Sequence, residues 1–360
     1  MKKVKFFIGT RPEAVKLCPI INEFKSRPEV KASVILTGQH RKACLDALGY
    51  FGVEADGMLP YDAEGLSDSV QMLMRSASEE IDREKPSLVV VQGDTASAYA
   101  VAMTAFSRGV PVAHVEAGLR SLSPVDPFPE EYFRRAIDST ATLLFAPGER
   151  EKHNLLRENI SEDRIFTVGN TILDSFERLQ RENSEADKSR EKRVLLTLHR
   201  RETVLPKVAE AVLRGIKRAT EEYGNCSFVF PIHPNPLIEE TARRVLGECG
   251  KFSLVPPMGI GEFRNALCSA DIVLTDSGGV QEEAAILSKP CLVIREHTER
   301  PLFGAILSGT TEEGVRSSLF GLLSGMQTER MPDENELASY FGNGDASKRI
   351  TEEIIRFLSV

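Results

Sequence analysis

Carboxylates stand at two points where an apolar run of the chain ends, and again at a predicted helix start. Asp94 and Glu116 each follow an apolar run, and the proline-rich loop 124–129 delivers Glu130 and Glu131. Carboxylates that converge on one crevice raise one another's pKa values, which allows acid and base roles near neutral pH. This pattern predicts an acid–base site. The alternative for the paired glutamates is that they only favour a helix N-terminus.

A histidine occupies the same kind of position in the second half. His199 ends the run 195–198 and precedes two arginines, which predicts a catalytic acid or a phosphate contact. His233, within Pro-Ile-His-Pro-Asn-Pro, is similarly placed and is a further candidate. The remaining histidines are interpreted as packing or surface residues: His40, His114, His153 and His297.

The first strand-to-helix junction predicts an anion site. Segment 8–16 reads Ile-Gly-Thr-Arg-Pro-Glu-Ala-Val-Lys, and Pro12 suits a first helical turn, whose N–H groups attract anions. Arg11 and Lys16 add two cations at that end. The turn has one glycine instead of Gly-x-Gly-x-x-Gly, which disfavours NAD and favours another phosphate-bearing ligand. The alternative is a capped helix with solvated charges.

A second such junction lies at Thr-Asp-Ser-Gly-Gly-Val-Gln-Glu-Glu, residues 275–283. Small residues open a helix here, so the N–H groups of Ser277, Gly278 and Gly279 can approach a diphosphate. A glutamate one turn further along can bridge the two hydroxyls of a ribose. A plain tight turn is the alternative.

Short β-rich runs alternate with amphipathic segments along the whole chain, which predicts parallel sheets covered on both faces. The predicted strands are 4–8, 30–36, 88–92, 110–115, 143–146, 165–168, 194–198, 228–232, 252–255, 272–274 and 291–294, and one predicted helix is 66–84. The polar stretch 181–193 is the predicted linker. We therefore expect an α/β protein of two Rossmann-like doubly wound domains facing a central cleft.

The expected boundaries follow from this pattern. Residues 1–180 form the first domain with most of the carboxylates, and residues 194–341 form a second, nucleotide-binding domain. Residues 342–360 form a last loop and amphipathic helix.

Composition excludes several classes of partner. The net charge of −8 argues against nucleic acid or an anionic membrane. No apolar stretch reaches the roughly 18–20 residues that span a bilayer, so a cytoplasmic protein is expected. The six cysteines show no Cys-x-x-Cys spacing and are interpreted as reduced packing residues. No aspartate or histidine pair has metal-ligand spacing, so no metal and no cofactor are predicted.

The segments GTRPEAVK, QGDT, HVEAGLR, FPEE, HRRE, DSGGVQEE and ERP occur in an order that resembles the non-hydrolysing UDP-N-acetylglucosamine 2-epimerases over the whole chain. That family has the glycosyltransferase type B fold, and its final helix packs on the first domain. By this resemblance, the catalytic positions are Asp94, Glu116, Glu130 and His199. The substrate-binding positions are Arg11, Lys16, Met258, Phe263, Ser277, Gly278, Gly279, Glu283 and Arg300.

The resemblance implies epimerisation at C2 of a UDP-sugar through loss and return of UDP, by a homodimer. Arg134, and Gln39 with His40 at a second substrate site of bacterial relatives, are further candidate contacts. Phe133 stands where the family commonly has asparagine. The alternatives are a hydrolysing epimerase, a glycosyltransferase of the same fold and a nucleotide-sugar sensor. Two features favour a non-hydrolysing epimerase over these alternatives: the Pro-Glu pair in the opening motif and the set of carboxylates.

Overall fold

The chain forms two compact units, residues 1–178 with 338–360 and residues 179–337. The computed structural model describes residues 1–121, 123, 125, 127–176, 191–200, 203–232, 236–247, 249–298, 300, 302–326 and 330–359. Each unit is described by itself below.

The first unit is built on a seven-stranded parallel sheet of order β3-β2-β1-β4-β5-β6-β7. Its elements are β1 Lys2–Ile8, α1 Arg11–Phe24, β2 Val30–Leu36, α2 Arg41–Tyr50, β3 Gly57–Met58, α3 Leu66–Glu84, β4 Leu88–Gln92, α4 Ala96–Ser107, β5 Val112–Val115, α5 Glu130–Thr140, β6 Leu143–Ala146, α6 Glu149–Arg157, a 3-10 turn Glu162–Arg164, β7 Ile165–Thr167 and α7 Thr171–Asp174. Strand β4 is entirely buried, because a parallel strand is covered by helices on both faces. The predicted helix 66–84 is confirmed as α3, and it buries the 3.6-residue stripe Leu73, Ala77 and Ile81.

The second unit has a six-stranded parallel sheet of order β10-β9-β8-β11-β12-β13. Its elements are β8 Lys192–Thr197, α8 Pro206–Tyr223, β9 Cys226–Pro231, α9 Pro236–Leu246, β10 Phe252–Val255, α10 Ile260–Ser269, β11 Ile272–Thr275, α11 Gly278–Ile286, β12 Cys291–Val293, β13 Ala305–Leu307 and α12 Glu312–Ser324. Its core includes Leu196, Phe228 and Leu274.

Both sheets have the doubly wound order that the alternation predicts. In the first, the chain runs outward from β1 in one direction and from β4 in the other; in the second, the same reversal falls between β8 and β11. Open sheets of this kind bind ligands beside the carboxyl ends of the strands at the reversal. Asp94, His199 and Ser277 lie in turns that follow strands at these reversals, and Gly278 and Gly279 begin α11. Glu116 follows β5, the next strand after β4 in its sheet.

The structure differs from the sequence-based boundaries in several places. The short edge strands β3 and β13 were not predicted, because two or three residues with mixed side chains give no period-2 pattern. Strand β8 begins at Lys192, inside the predicted linker 181–193, and residues 181–190 lie outside the described residues.

The C-terminal segment belongs to the first unit from Ala338 onward, four residues earlier than the expected boundary at 342. Helix α13, Glu334–Phe341, crosses that point, and α14, Ala346–Ser359, packs on α1 and α7. The backbone N–H of Ser347 donates to Asp174 Oδ1 at 2.7 Å, which anchors the start of α14.

All six cysteines are free thiols, and burial raises the pKa of Cys18, Cys44 and Cys291 to about 12. Across the described ranges, none of the helices has the length and apolarity needed to cross a membrane.

Candidate active site

Glu116 is held in an unusual conformation directly after β5. Its φ of 69° lies in the left-handed region that non-glycine residues rarely adopt. The buried carboxylate accepts hydrogen bonds from Lys16 Nζ on α1 and from Gln92 Nε2 at the end of β4. Such backbone outliers persist where surrounding contacts over-determine them, and they cluster at functional sites. Three elements thus converge to hold one carboxylate at the carboxyl edge of the sheet.

Asp94 is held by an arginine from α5. Arg134 is buried, and its Nε and Nη2 both donate to Asp94 Oδ2, the first at 2.9 Å. The same guanidinium donates through Nη1 to Glu131 Oε2 at 3.0 Å. Glu131 is fully buried and also accepts from Arg135 Nε at 2.7 Å. Glu131 therefore orients the arginine, while the partly exposed Asp94 carboxylate faces the edge of the sheet.

Glu130 is the first residue of α5, and residues four apart lie on one helix face. Glu130 therefore lies on the face whose Arg134 reaches Asp94. Phe133 packs elsewhere: its ring stacks on Tyr99 of α4, with centroids 4.5 Å apart and an interplanar angle of 14°. The aromatic that stands in place of the family's asparagine thus fills the α4–α5 interface.

His114, on β5, contacts the turn that carries Asp94. It is fully buried, with Nδ1 2.7 Å from Asp138 Oδ1 and Nε2 2.8 Å from the carbonyl oxygen of Gly93, which precedes Asp94. Burial raises the pKa of Asp138, but His114 and Arg120 outweigh it and hold that pKa below its ordinary value. The sequence-based interpretation of His114 as a packing residue omits this polar role.

Near the first helix start, the structure places a buried carboxylate that the sequence did not single out. Glu13 is 2 % exposed, and burial raises its pKa from 4.5 to about 7 against the lowering effect of hydrogen bonds from Gly9, Thr95 and Thr10. Arg11 begins α1 in the same turn. Lys16, predicted to bind an anion, is the cation that contacts Glu116.

Replacing Glu13 by glutamine is expected to make stability less dependent on pH. The pKa of Glu13 is higher in the folded state, so its contribution is complete below pH 4.5 and is lost as pH rises through about 7. The loss amounts to about 3 kcal/mol, from roughly 1.4 kcal/mol per pKa unit. Urea unfolding at pH 4.5 and pH 8 should therefore show wild type losing about that much relative to Glu13→Gln. A difference that stays constant with pH would contradict this.

Gln39 and His40 lie beside the same junction. Gln39 Oε1 accepts from Ser97 Oγ at 2.9 Å, and the backbone N–H of His40 donates to the Gly9 carbonyl oxygen at 3.0 Å. Both residues therefore join the turn after β2 to neighbouring turns of the first unit.

In the second unit, a buried aspartate orients His199. Asp276 is fully buried after β11, and its Oδ2 accepts from the backbone N–H groups of His199 and Arg200, each at 2.9 Å, and from Thr203 Oγ1. Its Oδ1 lies 3.3 Å from His199 Nδ1. The His199 side chain is 44 % exposed. The ring thus has one nitrogen against a carboxylate and an open face, which suits proton transfer or an anion contact.

The start of α11 combines a helix N-terminus with a cation. A Cβ on Gly278 would overlap Arg300 Nε, so only glycine lets the guanidinium lie there. Arg300 Nη1 also pairs with Glu282. The N–H groups of Gly278 and Gly279 belong to the first turn and have no acceptor within the helix. This arrangement favours an anion.

Ser277 is the N-cap of α11, and its N–H donates to Thr275 Oγ1 at 2.9 Å. The predicted contact of this N–H with a diphosphate stays a prediction. The hydroxyl oxygen of Ser277 accepts from Val280 N at 3.4 Å.

The other candidates of this unit are distributed along α10 and α11. Phe263 is buried in α10, and Met258 is half-buried just before it. Glu283 is buried in α11, one turn beyond Gly279. His233 lies outside the described residues.

Sequence reasoning missed Glu13, Gln92, Asp276 and Glu282 as members of these clusters. Asp276 could have been recognised from the sequence, since it follows a buried strand as Asp94 does. Glu13 and Glu282 lie inside helices, where a charged residue ordinarily indicates a solvated face. Across the part of the chain that the structure describes, no group of three or more histidine, cysteine or acidic side chains has the geometry of a metal site.

Fold and site together define a two-domain Rossmann-like α/β protein of the glycosyltransferase type B class, with a carboxylate cluster on one unit and, on the other, a helix start that would suit an anion. The sequence model described as UDP-N-acetylglucosamine 2-epimerase matches residues 22–355. A Bacillus subtilis protein of that name is 36% identical over 371 residues, covering 99% of this chain and 96% of its own.

Two solved structures are similar over the same extent. The S. aureus MnaA–UDP structure has a TM-score of 0.89 and 32% identity, covering 100% of this chain and 97% of the other. UDP-GlcNAc 2-epimerase from Neisseria meningitidis bound to UDP-GlcNAc has a TM-score of 0.86 and 31% identity, covering 99% and 100%. This chain belongs to the UDP-N-acetylglucosamine 2-epimerase family.

Proposed function

We propose that this protein, acting as a homodimer, interconverts UDP-N-acetylglucosamine and UDP-N-acetylmannosamine without net hydrolysis. The observation that carries the proposal is Glu116, a buried carboxylate kept in a left-handed backbone conformation beside Lys16. It follows β5, the strand paired with β4, which leads into Asp94 and its partner Arg134. The substrate class is supported by a relative in the same family whose structure was solved with UDP-GlcNAc bound.

The chemistry must make an unreactive hydrogen acidic. The C2–H of the sugar is not acidic by itself, so the C1–O bond breaks first and its electron pair leaves with UDP. The resulting ring cation acidifies C2–H, a carboxylate takes that proton, and 2-acetamidoglucal forms. Return of a proton to the opposite face of C2 and of UDP to C1 completes the inversion. The sugar thus loses and regains one proton and UDP, and no oxidant is consumed.

The proposed role of each residue in this reaction follows from its charge. Asp94, Glu116 and Glu130 are the proposed proton acceptors and donors, and the steps are assigned to the three as a set. Arg11, Lys16 and His199 are proposed to stabilise the charge that grows on the departing phosphate.

The second unit is proposed to bind the nucleotide. The first turn of α11 with Arg300 suits the diphosphate, since helix N–H groups and a cation both favour an anion. By family resemblance, Glu283 would bind the ribose hydroxyls, and Phe263 and Met258 would contact the uracil.

Incubation of the protein with UDP-N-acetylglucosamine, followed by ¹H NMR, tests the proposal. The expected product is UDP-N-acetylmannosamine, in a mixture that reaches the same composition from either sugar. Accumulating free N-acetylmannosamine with UDP would instead identify a hydrolysing enzyme, and no reaction until an acceptor is added would identify a transferase. Sedimentation velocity on the same sample is expected to give the mass of two chains; a monomer would overturn that part.

A further inference from the structure

The carboxylate of Glu13 joins two turns of the first unit. Its Oε2 accepts the backbone N–H of Gly9 at 2.7 Å, and its Oε1 accepts the hydroxyl of Thr10 at 3.0 Å. The same Oε1 accepts the hydroxyl of Thr95 at 2.8 Å, across 82 residues of sequence. One buried side chain therefore bonds the turn after β1 and the turn after β4 at once.

Each of these turns carries residues of the proposed site. The β1–α1 turn leads into Arg11 and Lys16, and the β4–α4 turn consists of Gly93, Asp94 and Thr95. Thr95 caps α4, because its hydroxyl oxygen accepts the N–H of Ala98 at 3.1 Å.

The junction is closely packed around Glu13. A Cβ on Gly9 would overlap the side chain of Ser97, in the first turn of α4, and that of Thr37, after β2, so glycine alone allows these segments to approach the β1–α1 turn this closely. The two hydroxyl groups that a Cβ would meet are themselves hydrogen-bonded, with the Thr37 and Ser97 oxygens 2.7 Å apart. A side chain that spans such a junction has little freedom to move.

We propose that Glu13 is a positioning residue for the epimerisation: its carboxylate sets the distance between the cations of the β1–α1 turn and Asp94. This inference rests on the proposed function for its catalytic consequence. We call the three hydrogen bonds that Glu13 accepts from Gly9, Thr10 and Thr95 the Glu13 joint. A displacement of about 1 Å between reacting groups can lower a rate about 100-fold, so this joint can affect the rate without contacting the substrate.

The ionised carboxylate accepts the hydrogen bonds of this joint better than the acid, although burying its charge costs stability. The carboxylate accepts all three hydrogen bonds, whereas the acid must place a proton on one of the accepting oxygens. The ionisable groups that interact with Glu13 from other elements are Asp94, after β4, and Cys44, on α2. Burial chiefly, and Asp94 to a lesser degree, raise the pKa of Glu13 to about 7. The joint should therefore tighten as pH rises through neutrality.

The test measures epimerisation by Glu13→Gln and Thr95→Val across pH. We expect each variant to lower kcat about 10-fold to 100-fold with KM changed less than about 3-fold, as for misplaced groups. The kcat of wild type should rise through pH 7, and the kcat of Glu13→Gln should not show that rise. The double variant should be no slower than the single ones, because residues that share one interaction are not additive. Thr95→Ser keeps the hydroxyl and should restore activity.

The matched control is Thr104→Val, which makes the same chemical change on α4 at a hydroxyl that bonds Ala100. It should leave kcat and the pH profile unchanged. Wild-type kcat in Glu13→Gln, or multiplicative losses in the double variant, would overturn the proposal.

A second measurement does not depend on activity. In the ¹H–¹⁵N spectrum of wild type, the amide of Gly9 should titrate with a midpoint near pH 7, because it donates to Glu13. That titration should vanish in Glu13→Gln and move to higher pH in Thr95→Val, which removes a hydrogen bond that lowers the pKa of Glu13. An inactive wild type with this titration intact would reject the proposed function alone; a Gly9 amide that does not titrate would reject the joint.

Discussion

Replacing Glu116 by glutamine is expected to lower kcat by about 10²–10⁴-fold, the usual range for a positioned acid or base. The amide keeps the shape of the side chain but cannot take the C2 proton. Asp94→Asn, Glu130→Gln and His199→Asn should each fall in the same range, because each removes an ionisable group from the proposed site. Initial rates with UDP-N-acetylglucosamine, followed by NMR, measure the effect.

A glutamate outside the site supplies the control. Glu162 pairs with Lys152 through Nζ at 2.7 Å, and the glutamate side chain is 69 % exposed. Glu162→Gln removes the same charge from the same unit and should keep kcat within about 3-fold of wild type, since it only weakens an exposed ion pair. A site variant that retains near-wild-type kcat would lose its proposed role, whatever the other variants show.

The second large effect concerns the origin of the hydrogen at C2. In D₂O, UDP-N-acetylmannosamine formed from unlabelled substrate should carry deuterium at C2 in nearly every molecule, because the abstracted proton exchanges with solvent before a proton returns. The reaction should need no added NAD and should be unaffected by a chelator. Mass spectrometry of the recovered UDP-sugar, with NMR to locate the label, gives the isotope content.

The isotope result separates the elimination route from a redox route. A keto intermediate formed with a bound nicotinamide would return the original hydrogen to C2 and leave the product unlabelled. Substrate incubated in D₂O without protein controls for spontaneous exchange. Unlabelled product after many turnovers would exclude proton elimination even if epimerisation itself were established.

Much of the fold could be predicted because its signals are local. Helix 66–84 has a complete apolar stripe, and β4 has a leucine followed by three valines, so each pattern can be recognised within one segment. The turns at Asp94, Glu116 and Ser277 could be predicted for the same reason: polar or small residues follow buried strands at the carboxyl edge of a parallel sheet.

The sequence by itself thus determined the fold class, the family and the turns that carry the proposed chemistry. Only the tertiary structure decided which charges meet: Lys16 with Glu116, Arg134 with Asp94, and Asp276 with His199. It also decided that Phe133 packs on Tyr99 and that the first unit includes the chain from Ala338 onward. The physical reason is that the periodicity of a strand or helix depends on residues that are close in the sequence. Burial and ion pairing instead depend on residues that the fold brings together across tens to hundreds of positions.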